Sequence, residues 1–403
     1  MLQNCIGDSN IHDQLQKLED ENWQWDSISR NEYKDRIERA CRLMELHAFD
    51  AVYLHAGTNL YYFTGMRWSP SERMVGALLT RDGILHFIAP RFEYGTMKEY
   101  MLIEGKLHCW EEHESPYQLF STILQDVGPV VAHVGIDESC PFFISDGLAA
   151  HNPNATFSNA QPITAGCRMY KSAPEIAIIQ TAMDMTLAVQ KSTAKILRPG
   201  ISPAEVKAFI DEAHKSCGAP AGSYFCIVLF GVDSSYPHGV IEPQNLQADD
   251  VVLIDTGCQI EGYISDITRS YVYGEISDEA RRIWDIEKAL QLTAFAAAQN
   301  GMPCSYIDLC VRRGLTKHQL GPDYQLPGTP HRTGHGIGLD IHEWPYIALH
   351  DEAVLAPGMT FSIEPMVCVP GQFGIRLEDH IYMTEDGPRW FTTPAVSIDH
   401  PFG

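Results

Sequence analysis

Apolar residues recur along the chain with two different periods, and the changes between these periods predict helices and strands. A helical spacing of apolar residues predicts a helix over 31–47. Short apolar runs predict buried strands at 51–54, 76–79, 84–88 and 130–136. Because helices and strands alternate, we expect an α/β domain over residues from about 30 to 165.

A second pattern begins near residue 171 and returns after about a hundred residues. A helix is predicted from Pro174 to Leu197, and Ser202 with Glu205 forms a capping box that opens the next helix. A second pair of helices is predicted over 283–299 and 305–313. Each pair precedes sequence typical of hairpins, which predicts two related halves in one C-terminal domain. We therefore place the two domains at 1–168 and 169–403.

Composition restricts the classes of partner. The 403 residues carry 29 basic and 52 acidic side chains, a formal charge of −23. This balance disfavours phosphate backbones and anionic lipid, so neither nucleic acid nor a membrane is an expected partner. The 11 cysteines include no Cys-x-x-Cys pair, which indicates a reducing compartment. The first thirty residues form an amphipathic, acidic arm without the apolar core of a signal peptide, and we expect a cytoplasmic protein.

Two carboxylates lie on a predicted hairpin. Four apolar residues lead directly into Asp255, so its side chain is expected at the buried end of a strand, where an unpaired carboxylate is very costly. Glu261-Gly262 suits a two-residue turn, which aligns Gly257 with Asp266. Asp255 and Asp266 then become diagonal neighbours about 7–8 Å apart, close enough to bind one cation. The alternative is that each aspartate serves turn chemistry at a strand end.

A second pair of carboxylates flanks a loop rich in Gly and Pro. A five-residue loop from Val369 to Phe373 places Glu364 opposite Glu378, whereas a four-residue loop places them on opposite faces. A metal site therefore requires the longer loop or a bulge. Arg376 shares the face of Glu378 and is a candidate to orient a carboxylate. Taken singly, each glutamate is also consistent with an ordinary ion pair.

A segment with alternating glycines contains two further candidates, His335 and His342. Gly334, Gly336 and Gly338 lack a Cβ and allow the backbone to approach its neighbours closely. This pattern predicts a histidine in a crowded polar site. A turn with hydrogen-bonded histidines is the alternative.

Together these segments supply four carboxylates and one imidazole: Asp255, Asp266, His335, Glu364 and Glu378. Five ligands exceed what one small catalytic cation usually takes from protein, and they suit two cations with bridging carboxylates. An oxygen-rich set favours Mn²⁺, although Zn²⁺, Co²⁺ or Fe²⁺ can also occupy it. Two such ions lower the pKa of a bridging water and polarise a carbonyl.

In this order and context, the five residues resemble those of the proline-specific metallopeptidases of the pita-bread fold. That family includes Xaa-Pro dipeptidase (prolidase) and Xaa-Pro aminopeptidase, and it shares its fold with creatinase and methionine aminopeptidase. Residues 334–343 resemble the family's signature segment, and Asn59–Gly65 resembles part of a creatinase-type domain. The resemblance implies a creatinase-like α/β N-terminal domain and a pita-bread C-terminal domain with pseudo-twofold αβ halves.

The resemblance also implies how the ligands are shared. One ion would be held by Asp255, Asp266 and Glu378. The other would be held by Asp266, His335, Glu364 and Glu378. Thr268 and Arg376 would support these ligands.

Four residues would act on the substrate according to the resemblance. Glu364 would carry a proton from the water to the leaving nitrogen after attack by a metal-bridging hydroxide. His342 would donate to the developing oxyanion. His238 would position the substrate near the scissile bond, and His331 would shape the proline-side pocket.

The implied reaction is hydrolysis of the Xaa-Pro bond in dipeptides or short peptides by a homodimer. Arg67 and Trp68 are candidates to reach the partner's cleft, although internal packing is the favoured interpretation. Several prolidases carry an arginine shortly after the equivalent of His342, whereas this chain has Tyr346 there and no arginine before Glu364. Without that arginine, strict specificity for dipeptides is not implied, and longer peptides are also candidate substrates. A metal-dependent lyase or hydrolase of a non-peptide molecule and a catalytically inactive binding module are the alternatives.

Overall fold

The computed structural model describes residues 6, 7, 9–128 and 132–403. The helices are α1 Ile11–Asp20, α2 Arg30–Leu46, α3 Thr58–Thr64, α4 Tyr94–Tyr100, α5 Pro116–Val127, α6 Phe142–His151, α7 Gln161–Arg168, α8 Ala173–Ile196, α9 Pro203–Ser216, α10 Asp278–Ala297 and α11 Cys304–Lys317. Every helix in this part of the chain is too short or too polar to span a bilayer.

The strands are β1 Ala51–His55, β2 Gly76–Thr80, β3 Leu85–Pro90, β4 Lys106–Trp110, β5 His133–Ile136, β6 Thr156–Asn159, β7 Ser223–Phe230, β8 Asp250–Ile260, β9 Tyr263–Ile264, β10 Ile267–Tyr273, β11 Gly334–Gly336, β12 Glu343–Ile347, β13 Thr360–Ile363, β14 Met366–Val369, β15 Phe373–Arg376, β16 Asp379–Thr384 and β17 Gly387–Trp390. Most of the strands are short, and the longest are β7, β8 and β10.

Residue contacts divide the chain into two units, one of which is Ile28–Arg168. Its six-stranded sheet has the order β4-β3-β2-β1-β5-β6, with β1 antiparallel to β2 and parallel to β5. Helices α5 and α6 pack against the central strands through a core that includes Phe120 and Leu148. The α/β class predicted for this region is confirmed, and the strand predicted from residue 130 is observed as β5. Residues 129–131 lie outside the described residues.

The second unit contains Met169–Gly403 together with α1 and the residues that follow α1 to Ser27. Helix α1 packs on α8 and α9, and it buries Leu18 to 1% exposure. The sequence division assigned these first residues to the N-terminal domain, whereas the structure groups them with the C-terminal unit. The reason is the apolar face of α1, which the amphipathic sequence indicated without identifying α8 and α9 as its packing partners.

Within the C-terminal unit, two halves repeat one arrangement, as the sequence predicted. Helices α8 and α9 precede the antiparallel strands β7, β8 and β10. Helices α10 and α11 precede β11, β13 and β16, which pair in the same order. The predicted capping box of α9 is present, since the Ser202 and Glu205 side chains each bond the other's backbone N–H.

The first hairpin has the predicted register. Ile260 pairs with Tyr263 across the Glu261-Gly262 turn, and Thr268 lies opposite Asp255. Both pairs belong to one register, although the second strand is interrupted between β9 and β10, where Asp266 lies. At the interruption, the backbone of Gly257 on the facing strand approaches that of Ser265 more closely than a side chain at Gly257 would allow.

The second hairpin also has the register that the metal interpretation required. Val369 pairs with Phe373, and Ile363 pairs with Asp379 farther along the same register. Carried through the interruption between these pairs, the register places Glu364 level with Glu378. The predicted long-loop register is therefore confirmed.

A backbone bridge joins the two halves beside the carboxylates. Glu378 N–H donates to the Thr268 carbonyl at 3.2 Å, so Thr268 contacts the second hairpin while it pairs with Asp255 in the first. This bridge brings the interrupted parts of both hairpins to one place.

We predict that Gly257→Ala destabilises the protein by about 1–3 kcal/mol or more, as expected for an overpacked core. A Cβ at Gly257 would lie 1.6 Å from the Ser265 carbonyl oxygen, so the facing strand would have to move. Thermal unfolding measures the effect. Gly95→Ala is the matched control, because a Cβ there meets no atom within 4 Å. Equal melting temperatures for the two variants would contradict the prediction.

Candidate metal centre

Three of the four predicted carboxylates lie where the two hairpins lose regular pairing, and Asp255 lies on the paired strand beside them. Asp255 is in β8, and Asp266 lies between β9 and β10. Glu364 follows β13, and Glu378 precedes β16. Their exposures are 6%, 3%, 9% and 1% in chain order, so all four are withdrawn from solvent.

His335 on β11 faces this carboxylate cluster. Its Nε2 lies 3.0 Å from Glu364 Oε1, 3.7 Å from Asp266 Oδ2 and 4.0 Å from Glu378 Oε1. Its Nδ1 lies 3.1 Å from the Gly336 carbonyl, which orients Nε2 toward the carboxylates. The structure thus brings His335 together with the predicted carboxylates.

The glycines around His335 permit this placement, as the sequence predicted. A Cβ at Gly334 would lie 2.0 Å from the Ser362 carbonyl oxygen, and one at Gly336 would lie 2.3 Å from that of Trp344. The strand that carries His335 therefore approaches both neighbouring strands more closely than a side chain would allow.

Thr268 and Arg376 connect the carboxylates of the two hairpins. Arg376 Nη2 donates to Asp255 Oδ2 at 2.5 Å, and Arg376 Nε lies 3.0 Å from Thr268 Oγ1. The Thr268 hydroxyl donates to Glu378 Oε2 at 2.6 Å. These contacts fix Oδ2 of Asp255 and Oε2 of Glu378. They leave the second oxygen of each of these two carboxylates free to face the cluster.

Ser362 is a supporting residue that the sequence interpretation missed. Its hydroxyl accepts from the His335 backbone N–H at 2.9 Å and donates to Glu364 Oε1 at 3.1 Å. The available signal was its position two residues before Glu364, on the same strand face.

The electrostatics of the cluster fit a divalent cation. Asp255 Oδ1, Asp266 Oδ1 and Glu378 Oε1 are buried without a hydrogen-bond partner among the described residues. Burial and the neighbouring carboxylates raise the pKa of both Asp266 and Glu378 well above their usual range. Burial opposes ionisation of Glu364, but the charges of His335, His331 and Arg376 hold its pKa below the ordinary value. Carboxylates arranged in this way are typical ligands for hard cations.

A cavity of about 440 Å³ opens directly onto the cluster. Its lining residues are Pro237, His238, Pro330, His331, Arg332, His335, His342, Glu364 and Arg376. The His335 and His342 ring centroids are 4.2 Å apart. Every histidine predicted to act on a substrate therefore lines one cavity.

His380 is a second residue that the sequence interpretation missed. It is fully buried on β16, and its ring lies with Asp266, His335 and Glu378 in one group of mutually close ligand atoms. Its position two residues after Glu378 on a strand was the available signal, because alternate residues share a face.

Arg67 and Trp68 lie in the Ile28–Arg168 unit and make contacts within it, as the favoured interpretation held. The Arg67 guanidinium lies 4.7 Å from the centre of the Tyr61 ring, and Trp68 packs edge-on against Tyr100. A role in a partner's cleft stays a prediction.

Comparisons with known proteins agree with this geometry. Residues 177–385 match metallopeptidase family M24, and residues 36–170 match the creatinase/prolidase N-terminal domain. An Xaa-Pro dipeptidase of Pyrococcus furiosus is 29% identical over 89% of this chain and 98% of the relative.

Solved structures of similar proteins share the architecture. A prolidase from Thermococcus sibiricus superposes with a TM-score of 0.80 at 27% identity, over 91% of this chain and 98% of that one. A dipeptidase from Mycobacterium ulcerans superposes with a TM-score of 0.83 at 29% identity, over 91% and 97% of the two chains.

We predict that metal removal lowers the melting temperature and that the loss grows as the pH rises. The pKa values of Asp266 and Glu378 are raised in the folded, metal-free state. Above about pH 4 this state therefore binds more protons than the unfolded chain, and its stability falls with rising pH. A bound cation replaces those protons, so its stabilising effect increases with pH. Thermal unfolding of chelated and Mn²⁺-loaded protein between pH 5 and 8 checks this; a pH-independent difference would contradict it.

Proposed function

Because this chain belongs to metallopeptidase family M24, we propose that it hydrolyses the Xaa-Pro bond of proline-containing dipeptides with two bound divalent ions. The observation that carries the proposal is the buried carboxylate cluster beneath a cavity lined by histidines. The related Xaa-Pro dipeptidase and prolidase, which align over nearly their full length, support the choice of substrate.

Asp255, Asp266 and Glu378 would hold one ion, and Glu378 and Asp266 would share the second with His335 and Glu364. Mn²⁺ is the first candidate because most of the donors are oxygens, with Zn²⁺, Co²⁺ and Fe²⁺ as alternatives. When bound, the ions would supply a water of lowered pKa, the source of the hydroxide nucleophile, and would polarise the scissile carbonyl.

Glu364 is placed to handle the proton. It is the carboxylate of the proposed ligand set that also lines the cavity, so its side chain is accessible to substrate. Because its pKa is held below the ordinary value, it is ionised at neutral pH and can accept a proton from water. It would then deliver this proton to the proline nitrogen as the bond breaks.

The cavity histidines would orient the substrate. Burial, with the charges of His335 and Arg332, lowers the pKa of His342 to about 4, so its imidazole is neutral at pH 7. A neutral imidazole can donate its one N–H to the carbonyl oxygen as negative charge develops there. His238 lines the same cavity and would position the scissile bond, while His331 would shape the pocket for proline.

Arg332 supports a dipeptide as the substrate. The sequence has Tyr346 where several prolidases carry an arginine, but the Arg332 guanidinium lies 4.5 Å from the centre of the Tyr346 ring. Arg332 lines the cavity and makes no ion pair with any described carboxylate. The other cavity arginine, Arg376, is already bound to Asp255. Arg332 would therefore bind the free carboxylate of the proline, and this contact favours dipeptides over longer peptides.

A lyase or hydrolase acting on a non-peptide molecule is the second candidate that the same metal set permits. The homodimer and the cytoplasmic location stay predictions.

We expect the Mn²⁺-loaded protein to hydrolyse Gly-Pro and Leu-Pro faster than Leu-Pro-Pro. Chelation should abolish turnover, and Mn²⁺ should restore it. Chromatography of the released N-terminal amino acid measures the reaction for all three substrates, because Leu-Pro-Pro yields leucine and Pro-Pro rather than free proline. Turnover that persists after chelation, or no turnover of any Xaa-Pro peptide, would contradict the proposal.

Replacing Arg332 tests the assignment of substrate length. We expect Arg332→Ala to lower kcat/KM for Leu-Pro about 10- to 100-fold, because the variant loses a charge-assisted hydrogen bond to the substrate carboxylate. The effect on Leu-Pro amide, which lacks the carboxylate, should be less than about threefold. Arg313→Ala, an exposed arginine on α11, is the control. Equal losses for Leu-Pro and its amide would show that Arg332 does not bind the carboxylate.

A further inference from the structure

His380 occupies a position that packing alone does not explain. It lies opposite Ser362 in the β13–β16 ladder and is 0% exposed. Side chains two apart on a strand share a face, so His380 points to the same side as Glu378. Neither of its ring nitrogens makes a hydrogen bond of good geometry with a described residue, although the ring faces the Asp266 backbone. Buried polar groups in native proteins nearly always have a partner, so this imidazole requires one.

The surroundings of His380 identify the kind of partner. One of its ring nitrogens and the ligand atoms of Asp266, His335 and Glu378 all lie within 4.8 Å of one another. The centroids of the His335 and His380 rings are 5.8 Å apart. A ring nitrogen that converges with two carboxylates and a second imidazole has the environment of a metal ligand.

A supporting role behind the ligands fits His380 less well. The residues that do support the ligands make direct hydrogen bonds to them: Thr268 to Glu378 at 2.6 Å, and Ser362 to Glu364 at 3.1 Å. His380 makes no such bond to a carboxylate, although its ring is within the cluster. The ring is therefore arranged as a member of the ligand set.

We propose that His380 is a sixth protein ligand of the metal centre, on the ion shared by Asp266, His335 and Glu378. This inference rests on the proposed metal centre and adds a second imidazole to it. Imidazole donors suit Zn²⁺, Co²⁺ and Fe²⁺, whereas carboxylate donors suit Mn²⁺. His380 thus shifts the preference of the site away from Mn²⁺ and toward Zn²⁺ or Co²⁺.

Metal binding without substrate tests the proposal. In chelator competition with metal-free protein, His380→Asn should weaken binding of Zn²⁺ and Co²⁺ about 10- to 100-fold and of Mn²⁺ less than about fivefold. The visible absorption spectrum of the Co²⁺ protein should change in intensity and position. His318→Asn, which alters an exposed histidine beyond α11, should leave all three affinities and the spectrum unchanged.

The outcomes separate this inference from the proposed function. Unchanged affinities and an unchanged Co²⁺ spectrum in folded His380→Asn would overturn the role of His380 alone. Failure of the unaltered protein to bind any of the three ions would overturn the metal centre as well. Should His380→Asn not fold, X-ray absorption of the Zn²⁺-loaded unaltered protein decides: two imidazoles per metal centre support the proposal, and one refutes it.

Discussion

Mutual repulsion among buried carboxylates is the constraint on which the rest of this structure depends. Asp255, Asp266, Glu364 and Glu378 are nearly inaccessible to water, and they face one another rather than solvent. Among the described residues, Arg376 and His335 are the basic groups that form ion pairs with these carboxylates, which is too few to balance four anions. Isolated buried charge is strongly unfavourable. The protein must therefore either hold extra protons on Asp266 and Glu378 or bind cations in their place.

The fold produces this crowding through its internal repetition. Each half contributes one antiparallel hairpin, and each hairpin is interrupted where its carboxylates lie. The bridge between Thr268 and Glu378 then joins the interrupted parts, so that backbone pairing brings the carboxylates together. Regular strands on both sides of each interruption restrict the movement of these ligands, which suits a site that must bind two ions at a fixed spacing. The cavity above the site adds an ionised carboxylate at Glu364 and a neutral imidazole at His342.

Much of the site could be predicted from the sequence because its registers are set locally. The Glu261-Gly262 turn predicted the register of the first hairpin. For the second hairpin the sequence left a four- or a five-residue loop open, and the structure selects the register that pairs Val369 with Phe373. Contacts between distant segments could not be predicted in this way. Arg332, just before β11, stacks on Tyr346 in β12. The His380 side chain reaches the cluster only when β13 and β16 pair. The amphipathic sequence of α1 indicated an apolar face, but not that this face packs on α8 and α9, which are more than 150 residues away in the chain.

The most direct test of the convergence of these side chains is the metal content of the protein after saturation with Mn²⁺ and dialysis against metal-free buffer. We expect two ions per chain in the unaltered protein. Glu378→Ala should retain at most one, because Glu378 is assigned to both ions. An unaltered protein that retains no ion, or a Glu378→Ala variant that still retains two, would contradict the account.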